Sequence, residues 1–171
     1  MADTPAGSGA ANPANPPQMR VLTQYVKDLS FENPGAPESL RGGEAPQIDL
    51  GIDVAGRSAG GDAYEVMIKI NANAKRGEDT LFIVELEYAG LFELRNFDDR
   101  SREPMLLIEC PRLLFPFAQR VLADATRDGG FMPLMLQPVD FAGLYRQQVE
   151  KRAQGQAQAP AAGAEDAPKP N

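Results

Sequence analysis

The sequence predicts an α+β domain, an antiparallel sheet with helices packed on one of its faces. Three observations predict it. Four stretches in the first half of the chain alternate apolar and polar residues with the two-residue period of strands. The second half carries apolar residues at helical spacing. Strands therefore come first and helices afterwards, which is not the alternation of a parallel α/β sheet.

The first strand covers 19–32. Its end places Tyr25, Lys27, Leu29 and Phe31 on one face and Val26, Asp28, Ser30 and Glu32 on the other, and Asn33-Pro34-Gly35 stops it. The second, 47–55, sets Ile48, Leu50, Ile52 and Val54 against Gln47, Asp49 and Asp53. Residues 56–61 read as a Gly-rich loop. In the third strand Tyr64, Val66, Ile68 and Ile70 oppose Glu65, Met67, Lys69 and Asn71. Arg76-Gly77-Glu78 fits a short hairpin connection. The fourth strand, 80–88, has Phe82, Val84, Leu86 and Tyr88 on one side and Leu81, Ile83, Glu85 and Glu87 on the other.

A weaker helical segment at 98–108 is interrupted at Pro104. Pro111 then opens a helix, where its missing N–H costs nothing. Leu113, Leu114, Phe117, Val121, Leu122 and Ala125 follow at helical spacing, and Asp128-Gly129-Gly130 ends the run. Residues 131–137 form an extended apolar connector. Asp140 is placed to cap a last helix bearing Phe141, Leu144, Tyr145 and Val149.

Composition bounds the function. The 171 residues include 17 Lys+Arg and 24 Asp+Glu, a formal charge of −7. That balance argues against a sequence-independent grip on nucleic acid. There is no His, which removes the commonest general base and metal ligand. A single Cys, Cys110, excludes an internal disulfide and paired-Cys zinc sites, and reads as a small buried hydrophobe. Walker A, G-x-S-x-G and dinucleotide-binding motifs are absent. No catalytic residue, cofactor or metal is therefore expected. Without a signal-like N-terminus or a run of roughly 18 uncharged apolar residues, a cytoplasmic location is expected, with no membrane insertion. Residues 1–18 and 153–171 hold seven of the 15 prolines and no Val, Ile, Leu, Phe or Tyr. Both read as disordered tails around a domain at 19–152.

Two features fit a solitary chain poorly. The fourth strand is apolar on both sides, and the 106–108 and 113–117 runs offer more apolar surface than one small sheet covers. A sister subunit or a ligand would cover the excess. A merely greasy monomer is the alternative. Asp28 and Glu32, and likewise Glu85 and Glu87, share strand faces. Four acids would line one sheet face if the first and fourth strands are close. They are then a wet surface, an acid/base site, or a docking patch for a basic partner.

The blocks Val26-Lys27-Asp28-Leu29-Ser30-Phe31-Glu32-Asn33-Pro34, Tyr64-Glu65-Val66 and Cys110-Pro111-Arg112-Leu113-Leu114-Phe115-Pro116-Phe117-Ala118 narrow these alternatives. With Gly129-Gly130-Phe131 and Leu134-Met135-Leu136-Gln137-Pro138-Val139-Asp140-Phe141, they resemble the SecB family of bacterial export chaperones. The resemblance runs through nearly the whole domain. It implies a four-stranded antiparallel sheet with helices on one face, assembled as a homotetramer, a dimer of dimers. Val84, Leu86 and Tyr88 match positions implicated in subunit association. The implied function is ATP-independent. Unfolded precursor proteins are held translocation-competent and delivered to the SecA motor. Phe31, Leu40, Phe82, Leu134 and Leu136 are the candidate client-groove residues. Asp28, Glu32, Ile83 and Glu85 match positions that contact SecA, whose basic tail carries the zinc. Some members have a Trp before the second strand, where this chain reads Gly42-Gly43-Glu44-Ala45, and Met132 stands where another Pro is common.

Overall fold

The computed structural model describes residues 15–157. Four strands form one antiparallel sheet: β1 (Gln18–Glu32), β2 (Gln47–Gly60), β3 (Ala63–Arg76) and β4 (Asp79–Arg95), in the order β1-β4-β3-β2. Three helices follow: α1 (Asp99–Pro104), α2 (Cys110–Asp128) and α3 (Phe141–Ala157). Of the predicted tails at 1–18 and 153–171, residues 1–14 and 158–171 lie outside the described residues, while Gln18 begins β1. Helix α3 continues five residues past the expected boundary at 152.

Alternation sets the two faces of the sheet. Val66, Ile68, Ile70, Ala72 and Ala74 of β3 and Phe82, Val84, Leu86 and Tyr88 of β4 are buried beneath the helices. Lys69, Asn71, Glu85 and Glu87 occupy the outer face. Two hairpins make the β2-β3-β4 meander. Gly77 takes φ +60° in the second, a conformation open to glycine at no steric cost. Residues 33–46 carry the chain from β1 at one edge to β2 at the other, with a single 3-10 turn at Glu38–Leu40.

Four expectations are corrected. Strand β1 has bulges between Val21 and Thr23 and between Val26 and Asp28. The extra residue at Lys27 puts Val26, Leu29 and Phe31 on the helix side, and Tyr25, Asp28, Ser30 and Glu32 on the outer face. Residues 56–60 are strand, not loop, and β4 runs seven residues beyond Tyr88. Gly90 lies in that extension because α2 comes so close. A Cβ there would sit 2.7 Å from Leu114 Cδ2. Finally, Pro104 does not interrupt the helical segment. The chain passes through a π-helical turn at Met105–Glu109 directly into α2. Pro104 and Pro111 bracket that turn, and neither can donate to the helical ladder.

Asp98 caps α1 by accepting from Ser101 N at 2.7 Å, and Asp140 caps α3 by accepting from Gly143 N at 2.9 Å. Helix α2 buries Cys110, Leu114, Ala118, Leu122 and Thr126 against the sheet. Its Leu113 and Phe117 remain 44% and 43% exposed.

Candidate functional site

Two surfaces carry the predicted site residues. The first is a groove between the 39–46 loop and the connector after α2. Its volume is about 590 Å³, and its apolar lining includes Leu40, Ile48, Leu81, Phe82, Phe131 and Leu134. Phe82 and Phe131 have ring centroids 4.9 Å apart, and Phe31 stacks on Phe82 at 5.8 Å. Such pairs fix the floor by quadrupole geometry as well as by area. Gly129 and Gly130 leave room for Phe31 and Leu40. The connector has no secondary structure of its own and hangs from α2. Buried Thr126 Oγ1 accepts from Leu134 N at 2.9 Å, and Gln119 Nε2 donates to Leu136 O at 3.3 Å. Met132 and Met135 are strongly exposed on the connector. Flexible thioether side chains adapt to irregular apolar ligands.

Of the predicted groove residues, Leu40, Phe82 and Leu134 line this space. Phe31 lies one layer beneath, against Phe82. Leu136 is elsewhere. It is buried and lines a separate depression with Phe115, Val139 and Phe141. Sequence reasoning did not single out Ile48, Phe131 or Arg76 as groove residues. Phe131 was visible in the Gly129-Gly130-Phe131 block.

The second surface is the outer face of the sheet. Strand β1 pairs directly with β4, with Asp28 opposite Glu87, Ser30 opposite Glu85, and Glu32 opposite Ile83. Asp28, Glu32, Ile83 and Glu85 therefore share one face, as the alternation required. Glu87 is paired with Lys69 at 3.4 Å. Beside Ile83 and Glu85 lies a shallow depression that also includes Asp49, Asn71 and Asn73. Toward the other end the face changes character. Buried Glu65 accepts from Tyr25 Oη, from Lys27 Nζ at 3.1 Å and from Arg57 Nε at 2.5 Å. These bonds, Arg57 first and Tyr25 next, outweigh burial and hold its carboxyl down at about 2. The same bond raises the Tyr25 phenol. The outer face thus has an internally neutralised end and an acidic end.

Apolar surface remains uncovered elsewhere. Val21, Val26 and Leu29 face the helix side of edge strand β1, yet the chain's own helices leave them exposed. Leu113 and Phe117 of α2 are exposed likewise. Val84, Leu86 and Tyr88 are instead buried inside the protomer core. Cys110 is buried 3.7 Å from Met19 Sδ, and burial, then Glu109, pushes its thiol up to about 12. Among the described residues no cluster of three or more Cys, Asp or Glu is placed to hold a metal, and no helix is long and apolar enough to cross a membrane.

Comparison with known proteins joins these surfaces to a family. Residues 12–152 match the family model for SecB, the preprotein translocase subunit. The chain is 66% identical over 152 residues to the protein-export protein SecB of Maricaulis maris, covering 88% of this chain and 87% of that one. It is 52% identical over 159 residues to that of Afipia carboxidovorans, covering 92% and 98%. Among solved structures, a SecB-like chaperone of Mycobacterium tuberculosis in complex with a ChAD peptide from the HigA1 antitoxin superposes with a TM-score of 0.60. It is 18% identical and covers 74% of this chain and 92% of that one, a likeness of fold. Fold, sequence blocks and relatives agree, and the chain belongs to the SecB family, with a chaperone role in protein export.

Proposed function

We propose that this chain is an ATP-independent cytoplasmic holdase. It captures unfolded precursor proteins in its apolar groove and presents them to the SecA motor through its acidic sheet face. The observation that carries the reading is the open groove floored by Phe82 and Phe131. A ligand that binds the unfolded chain and not the native one lowers the folded population by mass action, with no nucleotide required. The ChAD peptide bound by the M. tuberculosis relative supports peptide capture on this fold. The client groove comprises Leu40, Phe82 and Leu134, joined by Ile48 and Phe131, with Phe31 supporting the floor. Leu136, turned away from the groove against Phe115 and Phe141, anchors the connector that carries Leu134.

The proposed assembly is a homotetramer, a dimer of dimers. Exposed Val21, Val26, Leu29, Leu113 and Phe117 supply its direct contacts, and Val84, Leu86 and Tyr88 back the sheet beneath them. Asp28, Glu32, Ile83 and Glu85 dock the basic, zinc-stabilised tail of SecA. Acids around one apolar residue on a flat face steer a basic segment and fix its register.

The wild-type protein should slow the refolding of a slowly folding precursor when added in stoichiometric amounts. Unchanged yield and rate would remove the holdase reading. Glu85→Lys should weaken binding of the SecA tail by about tenfold at low salt, where exposed charges are least screened, and leave client binding intact. Equal tail affinity in the variant would reduce the patch to solvated surface.

A further inference from the structure

We propose that Arg76 is a positioning residue of the client groove, clipping the 41–46 loop through two backbone carbonyls and thereby setting the groove's wall. The inference rests on reading this groove as the client site. Arg76 ends β3, beside the Gly77 turn, and lies far from the loop in sequence. Its Nε donates to Glu44 O at 2.9 Å and its Nη1 to Arg41 O at 3.3 Å. A guanidinium offers donors in a rigid planar fork, so one side chain can span two carbonyls that an ammonium would contact as a single point.

Three further observations make the contact more than a surface hydrogen bond. The loop it holds is Arg41-Gly42-Gly43-Glu44-Ala45-Pro46, and all six residues line the groove. That loop has little to hold itself. It contains two adjacent glycines, and a Cβ on Gly42 would meet nothing within 4 Å. Gly43, by contrast, is fitted to the clip. A Cβ there would stand 3.1 Å from Arg76 Cζ and Nη1, so the bare backbone admits the guanidinium. Arg76 also walls the neighbouring depression, which includes Glu38, Glu78 and Asp79. Both side-chain hydrogen bonds of Arg76 nevertheless go to the loop backbone. The loop's geometry, and with it the width between Ile48 and Phe131, is thus set by a residue that contributes little apolar surface itself.

The clip holds the carbonyl of the Arg41–Gly42 peptide bond, which trypsin cleaves. Limited trypsinolysis of the intact protein therefore reads the clip, and binding of a reduced, carboxymethylated unfolded polypeptide reads the groove. Arg76→Met is expected to raise cleavage after Arg41 by about tenfold, because cleavage follows the population of the released loop. Probe affinity should fall about threefold to tenfold, since the free loop must be ordered again on binding. Tail docking on the outer face and the unfolding midpoint should hardly move. Arg76→Lys keeps the charge and loses the fork, so it should behave like Arg76→Met. Gly43→Ala should act in the same direction with Arg76 intact.

Unchanged cleavage after Arg41 in Arg76→Met would overturn the clip. Faster cleavage at undiminished probe affinity would show that the loop does not shape the site. Full recovery in Arg76→Lys would replace the clip by a charge effect. A wild-type protein that fails to bind the probe, or a Phe131→Ala variant that binds it normally, would instead defeat the groove reading itself.

Discussion

Gly129→Ala is expected to destabilise the protein by about 1–3 kcal/mol, the range of overpacking in a packed site. The backbone does not require glycine there, since φ is −72°. The cost is steric. A Cβ at this position would overlap Phe31 Cζ and Cε1. The Phe31 ring cannot simply swing aside, because it is stacked on Phe82 and tilted against Phe131. The groove floor would have to move with it. Urea unfolding at fixed protein concentration should show a lower midpoint with an unchanged slope. Client binding should weaken in the same variant. Gly42→Ala serves as the control. An added methyl there meets nothing, so its effect should stay within about 0.5 kcal/mol. A Gly129→Ala protein as stable as the wild type would mean that the ring does not occupy this position.

The second large effect belongs to Glu65. Its carboxylate ties β1 to β2 across the outer face, through Tyr25 and Lys27 on one side and Arg57 on the other. Folding lowers its pKa from 4.5 to about 2. The unfolded chain therefore binds the proton more readily. The carboxylate's stabilising contribution is whole above about pH 4.5 and is lost as pH falls toward 2. Lys27 and Arg57 are 37% and 71% exposed, so water screens part of the attraction. Glu65→Gln should accordingly lose on the order of 1–2 kcal/mol at pH 7, a figure discounted for that screening. The gap between variant and wild type should close by about pH 2, as the wild-type carboxyl protonates. A gap that stayed constant from pH 7 to pH 2 would assign the loss to packing instead of charge.

Much of this architecture could be read from residue order. The faces of β2 and β3, and of β4 from Phe82 to Tyr88, followed from alternation because the two-residue period is strict there. Leu81, expected opposite Phe82, instead lies at a bulge in β4 and is buried beside it. Strand β1 misled at Tyr25, Val26 and Lys27 because a bulge adds a residue without leaving a compositional mark. Glycines misled in a related way. Gly56 and Gly60 resembled loop punctuation, yet they lie within β2. Gly90 marks the close approach of a helix that the local sequence does not announce. Pro104 looked like an interruption because the tolerance of a π-helical turn for proline is a property of the helix and not of the residue.

The sites were legible to different degrees. The acidic outer face needed only the strand alternation and the adjacency of β1 and β4, which the topology supplies. Of the proposed groove residues, Leu40, Phe82 and Leu134 line one depression, and their apolar character was visible in the sequence. Leu136 has the same character, but the connector turns it against Phe115 and Phe141. Arg76 could not be found from sequence. Its partners are backbone atoms 32 and 35 residues away, and the main chain carries no residue-specific signal. Val84, Leu86 and Tyr88 show the converse limit. Apolar residues at the core and at an interface look alike in sequence, and these three belong to the core.

The central claim is that apolar surface left bare by the chain's own helices is used twice, once between sister chains and once for unfolded clients. Native mass with and without an unfolded client tests it most directly. A particle of about 74 kDa at micromolar concentration is expected, four times the 18.5 kDa chain. That particle should gain a discrete mass when a permanently unfolded polypeptide is added. An 18.5 kDa particle, unchanged by the client, would contradict it.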